Sequence, residues 1–104
     1  MAQFDIHRNA NKGTREAFPY LLEVQADLLS GLRSRVVVPL MRPGVIGSNV
    51  TRLNPSFSIE GKNMVMATAQ VAAVSLSALG PRVANLAKQR AEIVGALDLL
   101  FTGV

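Results

Sequence analysis

Apolar and polar residues alternate strictly over Gln3-Phe4-Asp5-Ile6-His7-Arg8, which predicts a strand. Phe4 and Ile6 face one side, and Gln3, Asp5 and His7 a solvated one. Residues 9–14, NANKGT, form a polar tip of turn-forming Asn and Gly. A second strand is expected after Pro19. Tyr20, Leu22, Val24 and Ala26 share one face, and Leu21, Glu23, Gln25 and Asp27 the other. Leu28-Leu29-Ser30-Gly31-Leu32 reads as a loop with apolar residues at its tip. The β-branched run in Arg35-Val36-Val37-Val38-Pro39-Leu40 predicts a strand packed on both faces. Pro39 cannot donate to a ladder, so it is expected at an edge, a bulge or the strand end.

Pro43-Gly44, Gly47-Ser48-Asn49 and Asn54-Pro55 punctuate the middle of the chain. Ser56-Phe57-Ser58-Ile59-Glu60 alternates again, and Gly61-Lys62-Asn63 is expected to be a short hairpin turn. Residues 64–68 and 72–76 are further strand candidates. Gly80-Pro81 is expected to end the β region, with Pro81 opening a helix where a missing N–H costs nothing. From there the period changes. Val83, Leu86, Ala87, Arg90, Ile93, Val94, Leu97, Leu100 and Phe101 recur at three- and four-residue spacing, as in an amphipathic helix of about five turns. Gly95 within it costs about 1 kcal/mol relative to Ala, and close backbone approach is the expected reason. Strands followed by one helix make an α+β domain with a mainly antiparallel, strongly bent sheet.

Composition narrows the class. The 104 residues suit one domain, 1–104, with no internal repeat and no linker. Apolar residues make up 49% and charged ones only 17%, which excludes a disordered chain. A domain this small buries about two thirds of its unfolded surface, so the apolar surplus implies a partner. With no Cys, disulfide frameworks, thiolate metal sites and cysteine nucleophiles are all excluded. The start has no apolar run or cleavage site, so cytoplasmic residence is expected. Residues 63–81, NMVMATAQVAAVSLSALGP, are uncharged, but their polar residues and closing Gly-Pro do not make a membrane span.

The chemical inventory is sparse. A single His cannot form a metal-binding pair, and His7 reads as a surface side chain. Neither a phosphate-binding Gly-rich loop nor a G-x-S-x-G elbow is present. The seven acids are spread singly, with no evident acid–base pair. No metal or cofactor is expected. The net charge is +4 and Arg outnumbers Lys, which suits capture of carboxylate or phosphate. Aromatic residues are too few for a nucleic-acid stacking platform, and a single helix gives no helix-turn-helix. Leu28, Leu29 and the terminal Phe101-Thr102-Gly103-Val104 are not needed at the sheet centre and are candidates for contact with a partner.

Taken together, Gln3-Phe4, Tyr20-Leu21-Leu22-Glu23-Val24-Gln25-Ala26-Asp27-Leu28-Leu29, Arg35-Val36-Val37-Val38-Pro39-Leu40, Val74-Ser75-Leu76-Ser77-Ala78-Leu79-Gly80 and Leu99-Leu100-Phe101-Thr102-Gly103-Val104 resemble the CcdB toxin family. The matches run in family order over essentially the whole chain. The resemblance implies a bent five-stranded antiparallel sheet, small and barrel-like, with a C-terminal helix, in a homodimer. It implies a non-enzymatic toxin of a toxin–antitoxin system that binds the A subunit of DNA gyrase and traps the cleaved gyrase–DNA complex. A CcdA-like antitoxin with an acidic segment would neutralise it, and the toxin–antitoxin complex, not the toxin alone, would bind operator DNA and repress.

By position, the resemblance implies gyrase contact by Leu28, Leu29, Asp98, Phe101, Thr102, Gly103 and Val104. Leu97 and Leu100 would contribute to the dimer interface. Arg8, Arg15, Arg42 and Arg52 would meet the acidic antitoxin. Plasmid-borne members carry Trp at the position of Thr102, and the exchange removes apolar area from that contact. Two alternatives accompany this reading. One is a MazF-like endoribonuclease, which shares the fold; the other is a remnant that binds antitoxin without poisoning gyrase.

Overall fold

The structure is a computed structural model that describes residues 2–44 and 51–103. Among these residues there are seven strands and one α-helix. The strands are β1 (Asp5–Asn9), β2 (Tyr20–Glu23), β3 (Ser34–Met41), β4 (Ser56–Ile59), β5 (Lys62–Met66), β6 (Ala72–Ser75) and β7 (Leu79–Asn85), and the helix is α1 (Arg90–Thr102). All pairings are antiparallel. The order is β4-β5-β3-β2-β1-β7, with β6 also on β3. The sheet curls into a half-barrel around a core that includes Phe4, Ile6, Leu22, Val38, Leu40, Phe57, Ile59, Met64 and Met66. Ile93 and Ala96 bring α1 into the same core. The expected α+β class holds, with seven strands where five were expected.

The strand beyond the six candidates read along the chain comes from the segment expected to begin the helix. Gly80-Pro81 lies inside β7, and helical structure begins only at a 3₁₀ turn over Ala87–Gln89. Among the described residues β7 pairs with β1 alone, so Pro81 sits on an edge strand, where a missing donor is tolerated. Asn85 then turns the chain. Its Oδ1 accepts from the Ala87 N–H at 2.8 Å, while its Nδ2 donates to Asp5 and to the Gln3 carbonyl. The α-helix is therefore 13 residues long, about 20 Å, and shorter than the five turns expected. The expected close approach at Gly95 is absent, because a Cβ there would meet open space. Close approach occurs instead at Gly80, where a Cβ would stand 2.7 Å from the Arg8 carbonyl oxygen.

Pro39 is central rather than at an edge, yet its missing N–H is accommodated. Its carbonyl faces Ala67, whose N–H donates to it at 2.9 Å, and in a strand the N and O of one residue face the same neighbour. On that side β6 pairs only with residues 34–37 of β3, and β5 only with Leu40 and Met41. Pro39 thus falls in the gap between two ladders. The β4–β5 turn is Glu60-Gly61, one residue earlier than expected. Both residues have positive φ (52° and 76°), which matches the right-handed twist of a two-residue hairpin.

Candidate functional site

β2 continues toward a tip that runs from Ala26 to Ser34 and is exposed throughout. Leu28 and Leu29 lie in a single 3₁₀ turn, Asp27–Leu29; Leu28 is 93% exposed, and Leu29 and Leu32 are also exposed. The turn is closed by the Leu29 N–H on the Ala26 carbonyl, the Ser30 N–H on Asp27 and the Leu32 N–H on Leu29. Asp27 also accepts from the Gln3 N–H at 2.7 Å.

The β1 face of Asp5 and His7, expected to be solvated, is buried. His7 is 3% exposed, not a surface side chain, and Asp5, Glu23, Gln25 and Arg35 are buried with it. Such groups remain inside only when partnered. Arg35 Nε lies 3.6 Å from Glu23 Oε1, and its guanidinium donates to the Ser30, Leu32 and Ser34 carbonyls. His7 Nδ1 lies 3.1 Å from the Gly80 carbonyl, which places a proton on that nitrogen. His7 Nε2 and Glu23 Oε1 face each other at 4.0 Å without a hydrogen-bond partner among the described residues. Burial pushes the Glu23 carboxyl above its ordinary range, and the charges of His7 and Arg35 only partly offset this. Burial acts in the same sense on Asp5, but hydrogen bonds from Arg82, Asn85 and the Ala2 amide outweigh it and hold Asp5 below its ordinary value. Alternation alone could not reveal this layer, since a buried polar face and a wet one have the same period.

The second apolar feature is the end of α1. Ile93 and Ala96 are buried, Leu97 and Leu100 half-buried, and Asp98, Phe101, Thr102 and Gly103 exposed. Phe101 is 69% exposed. Gly103 has φ 78°, and its N–H donates to the Leu99 carbonyl at 3.0 Å, a left-handed cap that ends the helix. Thr102 Oγ1 donates back to the Asp98 carbonyl. Val104 lies outside the described residues.

The four arginines expected to meet the antitoxin divide between two places. Arg8 and Arg15 line a recess of about 510 Å³ with Asn9, Tyr20, Glu60 and Lys62. Glu60 accepts from the Tyr20 hydroxyl at 2.7 Å and from the Arg8 guanidinium at 2.9 Å. These two partners, Tyr20 first, hold the Glu60 carboxyl below its ordinary range, while burial and the Glu60 bond raise the Tyr20 phenol. Arg42 is anchored nearby, donating to the Glu16 carbonyl. Arg52 instead lines a separate recess of about 300 Å³ with Pro55, Ala91 and Glu92. Lys62, placed by the early turn, was not expected in the basic group. Among the described residues no group of three or more His, Asp or Glu side chains is placed to hold a metal ion, and no helix is long and apolar enough to cross a membrane.

These features define a small α+β half-barrel domain that displays apolar side chains on one loop and one helix end, and carries a cationic recess elsewhere on its surface. The family model described as CcdB protein matches residues 3–103, and the chain belongs to the CcdB family. It is a toxin of a toxin–antitoxin system, a family with an antitoxin and gyrase as partners in general.

Proposed function

We propose that this toxin binds the A subunit of DNA gyrase and traps the cleaved gyrase–DNA complex, acting by binding and not by catalysis. The observation that carries the reading is the outward display of Leu28, Leu29 and Phe101, large apolar side chains that a folded chain otherwise covers. Asp98, Thr102, Gly103 and Val104 complete the gyrase surface in this reading. The toxin acts as a homodimer in the cytoplasm, with the half-buried Leu97 and Leu100 against the second copy. Two copies of one surface then meet two equivalent surfaces of a symmetric partner.

An acidic CcdA-like antitoxin neutralises it. The recess of Arg8, Arg15 and Lys62, with Arg42 beside it, is the surface that favours carboxylates, and Arg52 offers a second contact. Operator DNA is bound only by the joint complex. The test incubates the protein with gyrase, supercoiled DNA and ATP. Linear DNA released by detergent and protease is expected. Deleting Gly103 and Val104 is expected to abolish that product while the dimer persists in sedimentation. Absence of linear DNA together with specific cleavage of messenger RNA would overturn the reading in favour of a MazF-like activity.

A further inference from the structure

The Leu28 tip has no buried side chain of its own anywhere from Ala26 to Ser34. A loop without apolar anchorage is ordinarily mobile, and ordering it on binding weakens the complex. Here its carbonyls are gripped from beneath. The Arg35 side chain, 5% exposed at the start of β3, donates to Ser30 at 2.6 Å, Leu32 at 2.5 Å and Ser34 at 3.0 Å. Gln25, at the other root of the tip, donates to the Leu29 carbonyl at 2.9 Å and accepts from the Val36 N–H at 3.0 Å. Two buried side chains thus hold four of the carbonyls at the tip and its base. Glu23 supplies the counter-charge that lets a guanidinium lie under a loop.

We infer that Arg35 and Gln25 are positioning residues for partner recognition, holding the Leu28–Leu29 tip in its docking shape before any partner arrives. Arg is required because one planar fork reaches several carbonyls in fixed directions, which a Lys ammonium cannot. The inference rests on the tip being a gyrase-binding surface.

The test uses the full chain and the Arg35→Lys and Gln25→Leu variants; the second retains the Glu23–Arg35 pair should the first fail to fold. Amide exchange is followed by NMR at Leu29, Ser30 and Leu32 in the tip and at Leu22 and Val38 in the core. Faster exchange in the tip with unchanged core protection is expected. So is about a tenfold rise in the toxin concentration needed for half-maximal gyrase cleavage, the scale of a lost hydrogen bond to a buried charge. Unchanged tip protection would overturn the inference. So would tip and core loosening in parallel, or a loosened tip that poisons undiminished. Leu28→Asp tests the underlying reading separately. If it keeps native tip protection and full poisoning, the tip is not the gyrase surface, whatever Arg35 does.

Discussion

Asp5 shows how much a single side chain can carry on a strand that reads as half wet. Its carboxylate is 2% exposed and accepts from Arg82 Nε at 2.7 Å, Asn85 Nδ2 at 2.8 Å and the Ala2 N–H at 2.8 Å, tying β1 to the end of β7. Folding lowers its pKa, so its stabilisation is present above the ordinary value of 3.8 and is lost as pH falls below it. Asp5→Asn is expected to lower stability by about 2 kcal/mol at neutral pH, the scale of hydrogen bonds to a charged group. The difference from the native chain should shrink steadily on acidification. Urea unfolding midpoints followed from neutral pH into acid measure this, and a gap independent of pH would contradict it. Glu23 works in the opposite sense. Its raised pKa means the folded state holds its proton more tightly, so its contribution falls as pH rises through that raised value. Asp5, His7 and Glu23 each occupy an alternating position that reads equally well as solvated. Their burial follows from partners on other strands, such as Arg82, Gly80 and Arg35.

At the scale of elements, most of the chain was legible. Val37, Val38 and Leu40 read as part of a two-faced strand and are buried as one, although Val36 of the same run is exposed. Ser56, Phe57, Ser58 and Ile59 alternate exposed and buried as the pattern requires. The segment that misleads is β7, because Val83, Leu86 and Ala87 keep helical spacing with Arg90 and Ile93 although a corner lies between them. The one local signal for that corner is Asn85, which caps the turn through its own side chain. A second sign is Gly80, needed where β7 passes over Arg8 at an irregularity in the β1–β7 register. Gly80→Ala is expected to cost about 1–3 kcal/mol, since the added methyl meets backbone that cannot yield easily. Thermal unfolding would show the loss, and an unchanged midpoint would mean that β7 can slide on β1. Of the candidate surfaces, the Leu28 tip and the end of α1 were legible as apolar residues with no place in the core. The recess was legible only as charge, because Lys62 and Glu60 join Arg8 and Arg15 through the curl of the sheet.

At the scale of the molecule, the sheet brings distant parts of the chain together. β1 lies between β2 and β7, and Asp5 stands opposite Asn85. Contacts of such sequence separation slow folding, so refolding from denaturant is expected in milliseconds to seconds, as for β-rich domains generally. Stopped-flow fluorescence of Tyr20, which is buried in the core, would follow it, and microsecond refolding would show that β1–β7 pairing does not limit the rate. The same pairing orders events during translation. Until residues 79–85 have left the ribosome, β1 has β2 on one side and nothing on the other. Until Ile93 and Ala96 follow, the half-barrel has no helix to fill it. A nascent chain that still lacks β7 and α1 therefore exposes its core strands. The tip that carries Leu28 is synthesised before β7 and α1, yet the sheet and core that support it are complete only once both have emerged.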